Sequence, residues 1–405
     1  MTTEPMATAA PRFSICIPSR NRLEAVKQTV QSVVAQGYDN WEIVISDNST
    51  QSRGALAEWV AMLALPQDKI RVVDAGGDLQ MDENWESATR PARGEYILVV
   101  ADRWQLRNGI LQVFSNIVDR FDPDLFFWAG TKPWQFEALF TAPGVPPPLK
   151  ISKSSTDEIL GAFLNFRGFE TESVYGQAIP RALNGAYKRD LGDKARAIWG
   201  ELFRPISPDY TSAMAFLLLG QSCIKIHEMM YTPIKGAGSN FSNTSVLGLG
   251  HYLKTFPNCH VWRGLDEDIV FSTVLNDVEN TLKATEKGRA WITRMNVENA
   301  LKCMMSELNF KEFNGSLLPV GKMREAIYAL AAREELSEQQ IANLETYVSG
   351  SRHRAVESRR WLRRFGLYDQ ARSLNDRLRH SGRKTRIAGM IETEDVAARG
   401  IEVIA

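Results

Sequence analysis

Asp47 ends the apolar run Trp41–Ser46, and Asp102 follows the apolar run Ile97–Val100. Pro18-Ser19-Arg20-Asn21-Arg22 follows a third such run, Phe13–Ile17. Ligands of parallel α/β sheets sit beyond the carboxyl ends of the strands, where these polar tips fall. Asp102 is followed directly by Arg103. A single carboxylate is a poor site for a hard divalent cation, whereas the planar fork of arginine suits bidentate contact with phosphate. Asp209 stands at the edge of the apolar stretch Met214–Leu219. A carboxylate there can take a proton from a hydroxyl held against it. The same position is equally that of a helix cap, and a cap is also the plain reading of Asn84.

These tips need strands and helices to hold them. Phe13–Ile17 reads as a strand stopped by Pro18, which supplies no backbone donor. Leu23, Val26, Val30, Val33 and Val34 recur at helical spacing, and Gly37 closes that helix. With Trp41–Ser46 they predict a right-handed parallel βαβ unit. Further along, a helix is predicted over Ala55–Leu65 and a strand over Ile70–Val73, with strands at Ile97–Val100 and Asp124–Trp128. A helix is also predicted over Leu111–Val118, a capped one over Ser154–Phe163, and a short edge strand at Ile224–Ile226. Residues 132–176, with Trp134 and the stiff Pro143–Pro148 run, read as a variable insertion. From Asp268 onward the periodicity is helical.

Ile17-Pro18-Ser19-Arg20-Asn21-Arg22, then Gln36-Gly37-Tyr38, then Glu42–Ser49 resembles the opening of the family 2 glycosyltransferases, which have the GT-A fold. Asn84-Trp85 and Gly94-Glu95-Tyr96 resemble further family segments. So do Pro208-Asp209 with Ser212-Ala213, and Gly236–Asn243. The likeness extends to about Asn243. It implies an α/β, GT-A (Rossmann-like) nucleotide-sugar-binding domain with a mixed, mostly parallel sheet over residues 1–262, and a helical C-terminal region over 263–405. It implies that Asp47 bonds the base or ribose of a nucleotide-diphosphate sugar, with UDP the first choice. Pro18, Arg20 and Arg22 would line that pocket, Asn84 would stand beside the nucleotide, and Asp102 would accept from ribose. Asp209 would be the base of an inverting transfer, with Asp266–Asp268 a second choice. The family places an Asp-x-Asp cluster near Asp102 to bind Mg or Mn. Here Ala101 and Arg103 flank the only carboxylate, so metal binding by Asp102 is in question and Arg103 stands as a phosphate ligand. The setting implied is polysaccharide or glycoconjugate synthesis, with a glycan or glycolipid acceptor.

Lys+Arg and Asp+Glu both number 48, so the chain is no general nucleic-acid binder. Its hydrophobic content of 44% permits a sizeable core. Cys16, Cys223, Cys259 and Cys303 form no metal-type pair, which predicts reduced thiols in a cytoplasmic protein. The N-terminal residues do not read as a signal peptide. His227 and His260 are isolated and read as structural. Residues 351–386 hold 12 Lys and Arg against 3 Asp and Glu, with Trp361 and Phe365 among them. Such a segment suits peripheral contact with an anionic inner-membrane surface, a solvated helix, or a partner subunit as in a homodimer. The rival to an enzyme is an inactive GT-A protein serving as a nucleotide-sugar or glycan binder, or as a scaffold. A nucleotidyltransferase is opposed by the lack of glycine in Ile17–Arg22.

Overall fold

The structure, a computed structural model, describes residues 10–51, 53–66, 68–131, 148–166, 179–234, 261–265, 269–313, 318–345, 361–362, 365, 367, 370 and 396–404. Strand β1 (Phe13–Ser19) and strand β2 (Trp41–Asp47) are buried at every position. Parallel strands covered on both faces read as continuous apolar runs, which is why these two stand out in the sequence. β3 (Ile70–Asp74) and β4 (Tyr96–Val99) flank them. The sheet is completed by β6 (Leu125–Thr131), β7 (Leu149–Ser155), β8 (Gly185–Lys188), β9 (Ser222–Glu228) and β11 (Ile401–Ile404). A separate two-stranded ribbon pairs β5 (Trp104–Leu106) with β10 (Tyr231–Pro233).

The nine strands run in the order β11-β7-β9-β6-β8-β4-β1-β2-β3. β1 is parallel to β2 and β4, and β2 to β3, while β8 is antiparallel to β4 and β6. The sheet is thus mixed and mostly parallel, as expected. β9 pairs with β6 on one side and β7 on the other, so the strand read as an edge is interior. The reason is that β7, which lies inside the stretch read as an insertion, covers it.

Alternate side chains of each strand face opposite layers. One layer is α1 (Leu23–Val34) and α4 (Ile110–Phe121), packed on Phe13, Ile15, Ile17, Ile43 and Ile45. The other is α3 (Met81–Thr89), α6 (Arg189–Trp199) and α7 (Pro208–Leu219), packed on Cys16, Val44, Ile97 and Val99. The helix α2 (Ala55–Ala61) is shorter than expected, ending ahead of Leu65 and Pro66. A residue before proline is pushed out of the helical region, which limits the helix on that side. Cys16, Cys223 and Cys303 are buried free thiols, consistent with packing roles.

The C-terminal part is helical: α8 (Val270–Lys283), α9 (Glu286–Ile292), α10 (Val297–Phe313), α11 (Val320–Arg333) and α12 (Glu338–Glu345). These share one core with α7 and with α5 (Thr156–Asn165), through Phe163, Met214, Leu217, Phe271, Leu275 and Met304. The Ser155 cap of α5 forms the expected capping box with Glu158. The chain then returns to the sheet. β11 lies parallel to β7, and Arg399 donates to both oxygens of buried Glu228, at 2.6 Å and 2.9 Å. Arg107 reaches the same carboxylate at 3.4 Å. Arg399→Ala removes two charge-assisted bonds from a buried acceptor and is expected to cost roughly 2–3 kcal/mol in stability. Denaturant unfolding of the variant against the parent checks this.

Candidate active site

The register of the sheet sets the tips side by side. Ser19 lies opposite Asp47 at the ends of β1 and β2. On the other side of β1, Cys16 lies opposite Val99, and the Val100 N–H donates to the Cys16 carbonyl at 2.9 Å. Asp102 therefore emerges beside Ser19. The Ser19 hydroxyl donates to Asp102 Oδ2 at 2.8 Å, and Arg22 Nη1 donates to Asp102 Oδ1 at 2.9 Å. The Ser19 carbonyl accepts from the Asn48 N–H at 2.9 Å and from Asn84 Nδ2 at 3.3 Å. Ser19, a residue the sequence singled out only as part of a loop, is the point on which three strand ends and α3 converge.

Asn21 locks the first loop to the second. Its φ is 58°, a left-handed conformation that asparagine tolerates better than most residues. Its Oδ1 accepts from the N–H groups of Thr50 and Gln51, both at 2.9 Å, and its own N–H donates to Ser49 Oγ at 2.9 Å. Between these loops lies a small open cleft of about 90 Å³, lined by Val26 and Leu56 and by Ser19, Asn21, Asp47 and Gln51. Asp47 Oδ1 accepts from the Ser49 N–H at 3.1 Å, and Oδ2 has no partner among the described residues. The Asn84 Oδ1 is buried with no partner among the described residues, an acceptor at the foot of α3. Pro18 is buried in β1, and Arg20 is exposed with no ion pair among the described residues.

Asp209 stands at the same end of the sheet. β8 runs antiparallel to β4, so the chain just before β8 lies near the carboxyl end of β4. Arg181 is in that chain, and its Nη1 lies 3.8 Å from Asp209 Oδ2. α7 also covers the same face as α3, so Asp209 and Asn84 lie on one side of the sheet. The helix opens with Pro208, and Ser207 is the N-cap. Asp209 thus lies in the first turn, where its Oδ1 accepts from the Tyr210 N–H at 3.1 Å. Burial pushes the Asp209 pKa up, and Arg181 opposes the shift. Burial likewise pushes Asp82 up to about 6, with Glu83 and Glu201 adding to it.

The loop before α7 is held from the helical region. Asp277 Oδ2, on α8, accepts from the N–H groups of Ile206 at 3.0 Å and Ser207 at 2.9 Å. Burial raises Asp277 to about 7 although these bonds favour the carboxylate. A carboxyl group with a raised folded-state pKa binds its proton more tightly folded than unfolded. Its contribution to stability therefore falls as pH climbs from about 4 to 7 and is level above that. In Asp277→Asn the amide oxygen still accepts both N–H groups, and this part of the slope should vanish. Thermal melts of both proteins between pH 5 and 8 check it.

Arg181 and Asp277 were not found from the sequence, because no local motif links either to Asp209. Arg103 is half-buried and makes no ion pair or hydrogen bond through its side chain among the described residues. Burial lowers its pKa, the nearby Arg22 adds to that, and Asp102 opposes it. Both oxygens of Asp102 are engaged by Arg22 and Ser19. Among the described residues no three His, Cys, Asp or Glu side chains converge as metal ligands. One carboxylate already paired with a guanidinium is a poor donor set for a hard dication. His227 bonds Ser152 Oγ at 2.9 Å, a structural contact away from the tips. Trp134, Gly236–Asn243, Cys259, His260, Asp266–Asp268 and nearly all of 351–386 lie outside the described residues. No helix among the described residues is long and apolar enough to cross a membrane.

Residues 14–102 match the sequence family described as Glycosyl transferase family 2. The chain is 27% identical over 136 residues to the putative colanic acid biosynthesis glycosyl transferase WcaA of Escherichia coli (strain K12), covering 34% of this chain and 48% of that protein. It is 28% identical over 93 residues to the uncharacterized protein y4gI of Sinorhizobium fredii (strain NBRC 101917 / NGR234), covering 23% of this chain and 10% of that protein. The chain thus spans at most about half the length of these relatives. Among solved structures, S. aureus TarS 1-349 in complex with UDP-GlcNAc aligns at 14% identity and a TM-score of 0.44, covering 82% of this chain and 90% of that one. The mannosyltransferase PcManGT from Pyrobaculum calidifontis, in complex with GDP-Man and Mn2+, aligns at 14% identity and a TM-score of 0.40, covering 84% and 85%. Likeness at that level carries no functional inference. The segment that matches Glycosyl transferase family 2, residues 14–102, holds Ser19, Arg22, Asp47, Asn84 and Asp102.

Proposed function

We propose that the chain is an inverting glycosyltransferase that moves a sugar from a nucleotide-diphosphate donor to an acceptor hydroxyl. The observation that carries this reading is the convergence of the β1, β2 and β4 ends on Ser19, beside a cleft walled by Asp47. Asp47 Oδ2 is the acceptor for base or ribose. Each Asp102 oxygen keeps a second lone pair, which suits a ribose hydroxyl. Asn84 Oδ1, buried with no partner among the described residues, is a further acceptor on the same side. In the transfer, the acceptor oxygen forms a bond to the anomeric carbon as the bond from that carbon to the phosphate oxygen breaks. The electron pair leaves on the diphosphate, and the acceptor proton goes to Asp209. Its raised pKa makes Asp209 a stronger base than an ordinary carboxylate.

The donor is read as a UDP sugar and the acceptor as a glycan or glycolipid. The family match over residues 14–102 and the name of the E. coli relative support a role in polysaccharide synthesis. The basic segment 351–386 suits peripheral contact with an anionic membrane from the cytoplasmic side, and a homodimer is compatible with the same segment. A thermal-shift panel of nucleoside diphosphates and their sugars, followed by a donor-hydrolysis assay, tests the reading. Stabilisation by one sugar nucleotide with slow release of its diphosphate is expected. Stabilisation with no turnover in any acceptor pool would favour a non-catalytic binder, a reading for which the lone carboxylate in Ala101-Asp102-Arg103 speaks.

A further inference from the structure

Asp102 and Arg22 form an ion pair where the family implies a cation, and Arg103 lies close enough to feel both charges. Asp102 is 4% exposed, and each of its oxygens already accepts a bond, from Arg22 Nη1 at 2.9 Å and from Ser19 Oγ at 2.8 Å. A dication on this carboxylate would sit against the Arg22 guanidinium, with no second carboxylate to offset it. Arg103 follows Asp102 in a tight turn closed by the Trp104 N–H on the Ala101 carbonyl at 3.0 Å. Its own carbonyl accepts from the Ile234 N–H at 2.9 Å, which fixes the backbone there. The Arg103 guanidinium feels both the Arg22 cation and the Asp102 carboxylate. Arg22 is oriented by its carboxylate, and the Arg103 side chain has no ion pair or hydrogen bond among the described residues. A half-buried guanidinium that makes no direct ion pair is stabilised further by a ligand that supplies an anion.

We propose that Arg103, beside an Arg22 held in place by Asp102, binds the diphosphate of a nucleotide donor in place of a divalent cation. This rests on the donor reading given under Proposed function and adds to it that the chain binds its nucleotide without metal. The guanidinium supplies paired, charge-assisted bonds to phosphate oxygens as the leaving group gains charge. Asp102 is on this account a positioning residue for Arg22 as well as a ribose contact.

The test is calorimetric titration of the full chain with UDP and GDP, in EDTA and in Mn2+, with UMP and GMP as controls. For the parent, the diphosphate Kd in EDTA should agree with that in Mn2+ within about twofold. Arg103→Ala should weaken diphosphate binding about tenfold or more, the scale of one lost charge-assisted contact. It should change monophosphate binding far less. Arg103→Lys should recover part of the loss, because charge returns without the fork. Circular dichroism and melting temperature establish that both variants fold. Diphosphate binding that requires Mn2+, or an Arg103→Ala protein that binds like the parent, overturns the clamp while leaving the donor reading standing. Absence of nucleotide binding in every condition overturns the donor reading, and the clamp with it.

Discussion

Asp209→Asn should fold, bind nucleoside diphosphate as the parent does, and lose about 100- to 10,000-fold in turnover. The side chain is partly exposed and its contacts are few: the Tyr210 N–H at 3.1 Å and Arg181 at 3.8 Å. An asparagine keeps the first of these through its amide oxygen, so helix α7 retains what the carboxylate gives its first turn. What is lost is the proton acceptor. If capping were the whole role of Asp209, the variant would turn over nearly as the parent does. The pH profile gives a second reading of the same group. Burial raises the Asp209 pKa. The base works ionised, so the rate should fall as pH drops through a value above the ordinary carboxylate range. Arg181→Ala removes the opposing charge and should move that acid limb to higher pH still.

Asp102→Ala is expected to weaken nucleotide binding by several hundredfold, with a folded sheet. The carboxylate is buried and serves two donors at once. Truncation leaves the Arg22 charge without this partner and the Ser19 hydroxyl without its acceptor. Breaking one side of a buried charged pair costs about 3–5 kcal/mol. Part of that falls on stability and part on the loop that walls the cleft. Asp102→Asn keeps an acceptor for one donor and should lie between parent and Ala. Calorimetric Kd values for the three proteins, each with its melting temperature, check the order.

The N-terminal half of the sheet was legible because burial on both faces leaves a strong trace. Phe13–Ile17, Trp41–Ser46 and Ile97–Val100 are apolar runs ended by polar tips, and the structure has β1, β2 and β4 there. Parallel pairing of β1 with both neighbours then brings the tips together. At β7 the sequence misled. β7 carries Lys150, Lys153 and three serines, a pattern half-buried on one face, and it reads as loop until β9 and β11 are seen to flank it. The mistaken edge position of β9 follows from that. The N-terminal turn of α7 was placed too late because only the apolar stretch Met214–Leu219 marked the helix, whereas it opens at Pro208, and proline is favoured at the first helical position.

The candidate site was legible at residues whose chemistry is local. Asp47, Asn84 and Asp102 stand at strand or helix ends that sequence patterns reveal. The contacts that organise them join distant parts of the chain. Ser19 with Asp102, Arg181 with Asp209, and Asp277 with Ile206 and Ser207 are tertiary pairings that no spacing encodes. The helical region proved more closely tied to the site than a separate extension would be. Its helix α8 holds the approach to Asp209, and β11 extends the same sheet.

A structure of the chain with a bound nucleoside diphosphate examines the central claim most directly. The base and ribose should lie in the cleft between Ser19, Asn21 and Asp47, with the diphosphate directed toward Asp102 and Arg103. A nucleotide bound away from the ends of β1, β2 and β4, or with its phosphates pointing from Arg103 into solvent, would contradict it.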